Sequence, residues 1–578
     1  MADRHPLCAD YVGCCGRMSL PARGADLDYR LVPFVAFPDR VWPPGTHVVR
    51  QWTRPGTTMP ECPQPSTQER LVLGGTMGEP LTVELVRRIV TWLQRGYYHR
   101  LIELRGDLTG ALVTQSRVFL FRSLFTRNTL FYRVSGATVE WSTDPSDLIG
   151  DGLAELDRET IWRLCRGDNT TAYPRLRLLL PGHLMAFDGR SASIVQYDRI
   201  VPQGLPRGSS LQDYADHAYQ LLVTATRPYA RSGRLGVMLS GGLDSSAVTT
   251  ALVDNGADLT AYHVTTDDPL ADESAYARAV CRHLDVPFVP IMSDTGDGYL
   301  SKHWTFPHPY NHFAYRWQEQ VACRVQQDQI TFLTTGTDGD LLFGPVHDYG
   351  LYDILFGRLR WSEKQQLLRG ALCSRWTLPN LLKSIRRSHS ALAAEQPVGE
   401  NADHIDFLAP MPHVPDDLDH RMNFEFTSIE HTADLTLFWP RGIERCSPMA
   451  NRELYRLAEG MPNAYRWIPY GGRFIDKPVL RLMLSTRLPA LVWRRYGGLW
   501  PHSPQQTFCL THPEVLAELI GAPESLLVRM NIVDPRRLAA VLEHPPTIRR
   551  NTNSLVWSAM TELFLRSLET PATRPARS

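Results

Sequence analysis

The heptad Ser240-Gly241-Gly242-Leu243-Asp244-Ser245-Ser246 carries three hydroxyls, two adjacent glycines and one carboxylate. Glycines let a backbone approach an anion closely, and the free N–H groups of a first helical turn point at it. The three serines add hydroxyl donors, which completes a phosphate cradle. Asp244 is the foreign member. A carboxylate beside phosphates repels them unless a divalent cation lies between. The heptad therefore reads as a site for a nucleotide with Mg²⁺. A plain Gly-Gly turn closing a strand onto a helix is the simpler alternative, and the complete strand–turn–helix setting outweighs it. No lysine follows the second glycine, so this is not a Walker A loop.

A second constellation is Thr335-Gly336-Thr337-Asp338-Gly339-Asp340-Leu341-Leu342-Phe343-Gly344, with two acids and three glycines. Asp340 reaches the cation of Asp244 if the two preceding strands are neighbours. Mg²⁺ takes one or two carboxylates together with phosphate oxygens and water. An acidic turn whose Asp caps the next helix is the simpler alternative. Alone it would be preferred; beside the heptad, a metal role for Asp244 and Asp340 is preferred.

These loops need a frame. Residues 234–239 read as a short buried strand, and the small and apolar residues 247–255 as the helix after it. Further strands are expected at 260–264, 287–291 and 330–334, with helices at 273–284 and 314–327 between them and a helix at 211–227 before the first strand. Strands separated by helices imply a parallel sheet with right-handed crossovers. Ligands then bind beyond the carboxyl ends of the strands, where both loops lie.

Before the linker 202–210, the pattern is β-rich. Alternating runs at 110–113, 117–121, 129–133 and 139–142 and a hairpin around Asp188-Gly189 follow a helix at 81–94. Residues 1–70 are rich in Pro, Gly and Cys and predict short strands and loops. Residues 350–570 predict helices, among them 380–394 and 453–460. The polar stretch 395–419 reads as a surface loop, with a lid as the more ambitious alternative. The last residues, from Thr570, read as a disordered tail.

Composition excludes several classes. The chain has 578 residues, enough for two or three domains, and a formal net charge of zero. Nothing there favours nucleic acid or an anionic membrane as a partner. No run approaches the roughly 20 apolar residues of a membrane span, and the first residues lack a signal-peptide pattern. Ten cysteines without repeating spacing fit free thiols in a reducing, cytoplasmic setting. His303, His308 and His312 match no zinc spacing. The aromatics Trp304, Phe306, Tyr310, Phe313, Tyr315 and Trp317 could grip a peptide, although core packing is the commoner role.

The two loops, their order and the β-rich segment before them resemble the asparagine-synthetase superfamily of N-type ATP pyrophosphatases. Asp272-Glu273, Glu444-Arg-Cys-Ser-Pro448 and Asp476-Lys477-Pro-Val-Leu-Arg481 are further echoes. The resemblance runs from about Leu71 to Leu565 and implies an α/β chain. An Ntn-hydrolase-like sandwich (1–205) is followed by a parallel-sheet adenylating domain (206–570) with a helical C-terminal part and by a tail (571–578). ATP and Mg²⁺ are the implied cofactors, and the nucleotide would lie against Leu239, Ser240, Gly241, Gly242, Asp244, Ser245, Ser246, Val264 and Gly336.

Glutamine-dependent members carry a nucleophilic Cys after the initiator Met. Here that residue is Ala2, so the expectation is no glutaminase activity, a sandwich without its nucleophile, and a nitrogen supplied by the substrate itself. That resembles the lasso-peptide macrolactam synthetases, with the β-lactam synthetases as the alternative and a non-catalytic ATP-binding scaffold more remote. At the position of Thr337 the β-lactam synthetases have a Tyr that acts as base, and asparagine synthetases a Glu. Thr337 is a poor base, which fits acylation of a peptide α-amine. The family's C-terminal lysine falls at Tyr496, so Arg494, Arg495 or Lys477 is expected to carry its charge. The implied partners are a precursor peptide, a leader peptidase and a leader-recognition protein.

Overall fold

The computed structural model describes residues 13–19, 48–52, 70–77, 82–104, 106–143, 156–167, 175–231, 233–265, 272–293, 315–344, 359–365, 407–408, 433–470, 473–495 and 504–569, and the single positions 145, 148, 173 and 368. Several expectations lie outside these residues: Tyr496, His303, His308, His312, the aromatics 304–313, the helix 380–394, nearly all of 395–419 and the tail.

The N-terminal half holds two antiparallel sheets. One has the order β2-β1-β7-β6-β8, built from Val48–Trp52 (β2), Gly13–Ser19 (β1), Thr138–Ser142 (β7), Leu130–Ser135 (β6) and Arg177–Leu179 (β8). The other has the order β10-β9-β5-β4-β3, built from Ala192–Gln196, His183–Phe187, Val118–Arg122, Gly106–Val113 and Arg70–Met77. Alternate residues face inward, as a two-residue period requires. Ala111, Val118 and Leu120 meet Tyr132, Val139 and Trp141 in the core between the sheets. Helix α1, Val83–Arg95, covers the outer face of the second sheet through Val86, Ile89 and Leu93. Thr82 caps it by accepting from Leu85 N–H at 3.2 Å.

The outer face of the first sheet is covered from far along the chain. Phe131 and helix α2, Arg158–Cys165, share a core with Phe508, Leu516, Leu527, Leu555 and Phe564 of the C-terminal helices. The helices of the C-terminal part thus pack on the N-terminal half, a link that no local periodicity encodes.

The second half is built on a parallel sheet of order β13-β12-β11-β14-β15. Its strands are Leu235–Met238 (β11), Leu259–Thr265 (β12), Phe288–Met292 (β13), Phe332–Thr334 (β14) and Glu444–Cys446 (β15). Helix α3 (Leu211–Ala230) precedes them, and α4 (Leu243–Asp254), α5 (Ser274–Leu284) and α6 (Tyr315–Gln327) lie between them in sequence. Strand β15 was not anticipated. Three residues, two of them charged, carry too short a pattern to announce a strand. The order reverses at β11, which pairs with β12 on one side and β14 on the other. The loops after β11 and β14 therefore emerge side by side at the switch point.

Candidate active site

The heptad follows β11 and opens α4, with Gly242 as the N-cap residue and no side-chain cap on the helix. Gly241 has φ +78°, a conformation glycine adopts without steric cost. The serines shape the turn locally. Ser240 N–H donates to Ser245 Oγ at 3.2 Å, and Gly242 N–H donates to Ser240 Oγ at 3.2 Å. The hydroxyl of Ser246 is buried without a hydrogen-bond partner. Leu239 follows β11, Val264 lies next to the end of the adjacent β12, and Leu239 N–H donates to Tyr262 O at 2.9 Å.

The acidic loop packs directly on the heptad. A Cβ at Gly336 would come 2.5 Å from Ser245 N, and one at Gly339 would come 2.1 Å from Asp244 Oδ1. Only glycine permits that approach. Helix α7, Gly339–Phe343, carries Asp340 in its first turn. The two carboxylates then meet one ammonium: Lys477 Nζ binds Asp244 Oδ2 and lies 2.7 Å from Asp340 Oδ1. Burial disfavours the charge on Lys477, but Asp244 and Asp340 outweigh that effect and raise its pKa. Burial pushes the Asp244 carboxyl upward; the nearby Lys477 opposes the shift and Asp340 adds to it.

A divalent cation fits these residues. Asp244 Oδ1 is buried with no hydrogen-bond partner, and a positive group already bridges the carboxylates. Asp244 and Asp340 would hold Mg²⁺, an oxygen-seeking ion, with Asp340 mostly exposed on the open side.

Arg494 and Arg495 separate. Arg495 is buried, donates to the Gly241 carbonyl at 3.2 Å, pairs with Glu273 and lies over the Tyr276 ring. Arg494 is exposed and stacks on Trp493 with its Cζ 4.7 Å from the ring centroid. Of the expected charge carriers, Lys477 and Arg495 are thus at the loops, while Arg494 faces solvent. The Thr337 hydroxyl pairs with the Thr335 hydroxyl at 2.8 Å, and its carbonyl accepts from Ser447 Oγ at 2.7 Å.

Four supporting residues had been given no site role: Asp338, Glu273 and Arg481 were quoted only within motifs, and Arg466 not at all. Asp338 does not cap α7, as the simpler alternative supposed; its buried carboxylate accepts from Tyr455 and shares the single Ser447 hydroxyl proton with the Thr337 carbonyl. Arg466 donates to the carbonyls of Leu341 and Leu342 at 2.9 and 2.6 Å, holding α7. Arg481 donates to the carbonyls of Asp476, Trp493 and Arg495, which joins the Lys477 and Arg495 segments. Glu273 anchors Arg495. The signal available in the sequence was charge beside apolar runs: buried arginines must find acceptors.

Residues 218–568 match the family model described as asparagine synthase. Residues 1–217 lie outside that match. No curated protein matches the sequence. Among solved structures, the chain is similar to an allosteric regulatory enzyme of purine biosynthesis at 8% identity and TM-score 0.18, covering 40% of this chain and 61% of that one. It is also similar to glutamine phosphoribosylpyrophosphate amidotransferase from B. subtilis, at 9% identity, TM-score 0.21 and coverages of 65% and 73%. A third is the U34-tRNA thiolase NcsA from Methanococcus maripaludis, at 11% identity, TM-score 0.17 and coverages of 43% and 80%. Likenesses at this level say nothing about activity. No described helix is long and apolar enough to cross a membrane.

Proposed function

Because the chain belongs to the asparagine synthase family and is an ATP-dependent carbon–nitrogen ligase, we propose that it closes a macrolactam within a precursor peptide, in the manner of a lasso-peptide cyclase. The observation that carries this reading is Thr337. Its hydroxyl faces another threonine hydroxyl, not a base. A nucleophile used here must need little deprotonation. A peptide α-amine, with an ordinary pKa near 8, meets that condition.

In this reading the Ser240–Ser246 loop cradles the triphosphate of ATP, and Asp244 and Asp340 hold Mg²⁺. When bound, Mg²⁺ neutralises phosphate charge and orients the leaving group. Lys477 gives up its place between the carboxylates and turns its ammonium to the phosphates. A side-chain carboxylate oxygen of an Asp or Glu in the peptide attacks the α-phosphorus, and pyrophosphate leaves. The α-amine of the same peptide then attacks the acyl carbon, and AMP leaves with the original carboxylate oxygen. Arg495 holds the Gly241 carbonyl, so the cradle keeps its shape as charge moves. The chain's main contribution is to hold carboxylate and amine together. A leader peptidase and a leader-recognition protein are the partners such a reaction requires.

The test is incubation with ATP, Mg²⁺ and candidate precursor peptides. AMP formation with loss of one water from the peptide mass supports the reading. AMP formation with small amino acids alone would instead favour a β-lactam synthetase or another small-molecule ligase.

A further inference from the structure

We infer that Asp338 is a positioning residue for the carboxylate pair, held by two routes that start on one loop of the N-terminal half. This rests on Asp244 and Asp340 being the cation ligands. Asp338 is 3% exposed and has φ +76°, a conformation that disfavours a side chain. Two hydroxyls hold its carboxylate there. Oδ1 accepts from Tyr455 Oη at 2.9 Å, and Oδ2 lies 2.7 Å from Ser447 Oγ. Asp338 also immediately precedes α7, so its placement sets where Gly339 meets Asp244 and where Asp340 points.

Both donors lead back to the loop after β5. The Tyr455 ring packs on Phe125, with centroids 5.3 Å apart. The helix that carries Tyr455, Arg452–Gly460, is bound to the same half through Arg452 and Asp198 at 2.9 and 2.6 Å. On the second route Arg127 Nε lies 3.1 Å from Asp434 Oδ2, and Arg445 Nε lies 2.6 Å from Asp434 Oδ1. Arg445 stands two residues before Ser447. Phe125 and Arg127 thus reach one buried carboxylate by separate paths, and the N-terminal half becomes a brace for the acidic loop.

The experiment measures Mn²⁺ binding to the full chain with a non-hydrolysable ATP analogue, by electron paramagnetic resonance, beside thermal unfolding. Asp338→Asn and Tyr455→Phe should each weaken Mn²⁺ about tenfold, beyond the few degrees of melting temperature that a lost hydrogen bond to a buried carboxylate costs. Arg127→Met leaves Asp434 paired with Arg445; it should weaken Mn²⁺ a few-fold alone and add less in the Asp338→Asn background. Wild-type affinity in both Asp338→Asn and Tyr455→Phe, or strict additivity with Arg127→Met, would overturn the inference. If Asp338→Asn does not fold, Tyr455→Phe keeps the ring contact and tests the same strap. If the wild-type chain binds no Mn²⁺–nucleotide, the ligand assignment itself falls, which is a different failure.

Discussion

The two loops of the site are built on opposite plans. The Ser240–Ser246 loop takes its turn from its own residues, with Arg495 added on the Gly241 carbonyl. Its glycines set the turn, and Ser240 and Ser245 accept its backbone N–H groups from within six positions. The Thr335–Gly344 loop is held from elsewhere: by Ser447 and Tyr455 on Asp338, and by Arg466 on the carbonyls of α7, all more than a hundred positions away. The first loop is shaped locally and only propped from afar. The second exists only once the chain has folded around it. Their meeting at Lys477 joins a preformed cradle to an imported carboxylate.

Breaking the local loop should cost most. Asp244→Asn removes the proposed cation ligand, which also touches Lys477 and Gly339, so ATP–pyrophosphate exchange should fall by about a thousandfold or more. Exchange at wild-type rate would remove Asp244 from the chemistry.

Lys477→Met tests the junction. Without metal it leaves two carboxylates facing each other and should lower stability by about 2 kcal/mol, less than a fully buried pair would lose because Asp340 is exposed. Added Mg²⁺ should then raise the melting temperature of the variant more than that of the wild type. Equal response in both proteins would mean that the ammonium and the cation do not share a place.

The smallest effect concerns the frame. Burial pushes the thiols of Cys165 and Cys509 up to about 12, and that of Cys281 to about 11. The unfolded chain loses these protons near pH 9, before the folded one does. Stability is therefore full below that pH and declines as pH rises through 9 to 11. A melting temperature that rises over this range would contradict it.

The same contrast sets what the sequence disclosed. The heptad, its strand and its helix were legible because every residue that shapes them is adjacent. The alternation of strands and helices from residue 211 onward was legible for the same reason, and the observed elements differ from the expected bounds by one or two residues in most cases. Asp340 was legible as a metal candidate, but Asp338 was not separated from a helix cap, because Ser447 and Tyr455 are remote. Strand β15 and the shared core of Phe131 with Phe508 and Phe564 were invisible for that reason too. Lys477 was one of four lysines in the chain, which drew notice to it. That its ammonium bridges both aspartates follows only from the fold, since its backbone N–H is tied to the Arg466 carbonyl and Arg481 of the helix that follows donates to the Asp476 carbonyl.

The most direct test follows an oxygen atom. A candidate peptide labelled with ¹⁸O in its side-chain carboxylate is cyclised with unlabelled ATP and water, and the AMP is examined by mass spectrometry. Activation as an acyl-adenylate predicts one ¹⁸O in AMP and none in pyrophosphate. Label appearing in inorganic phosphate, or AMP free of label beside cyclised peptide, would contradict it.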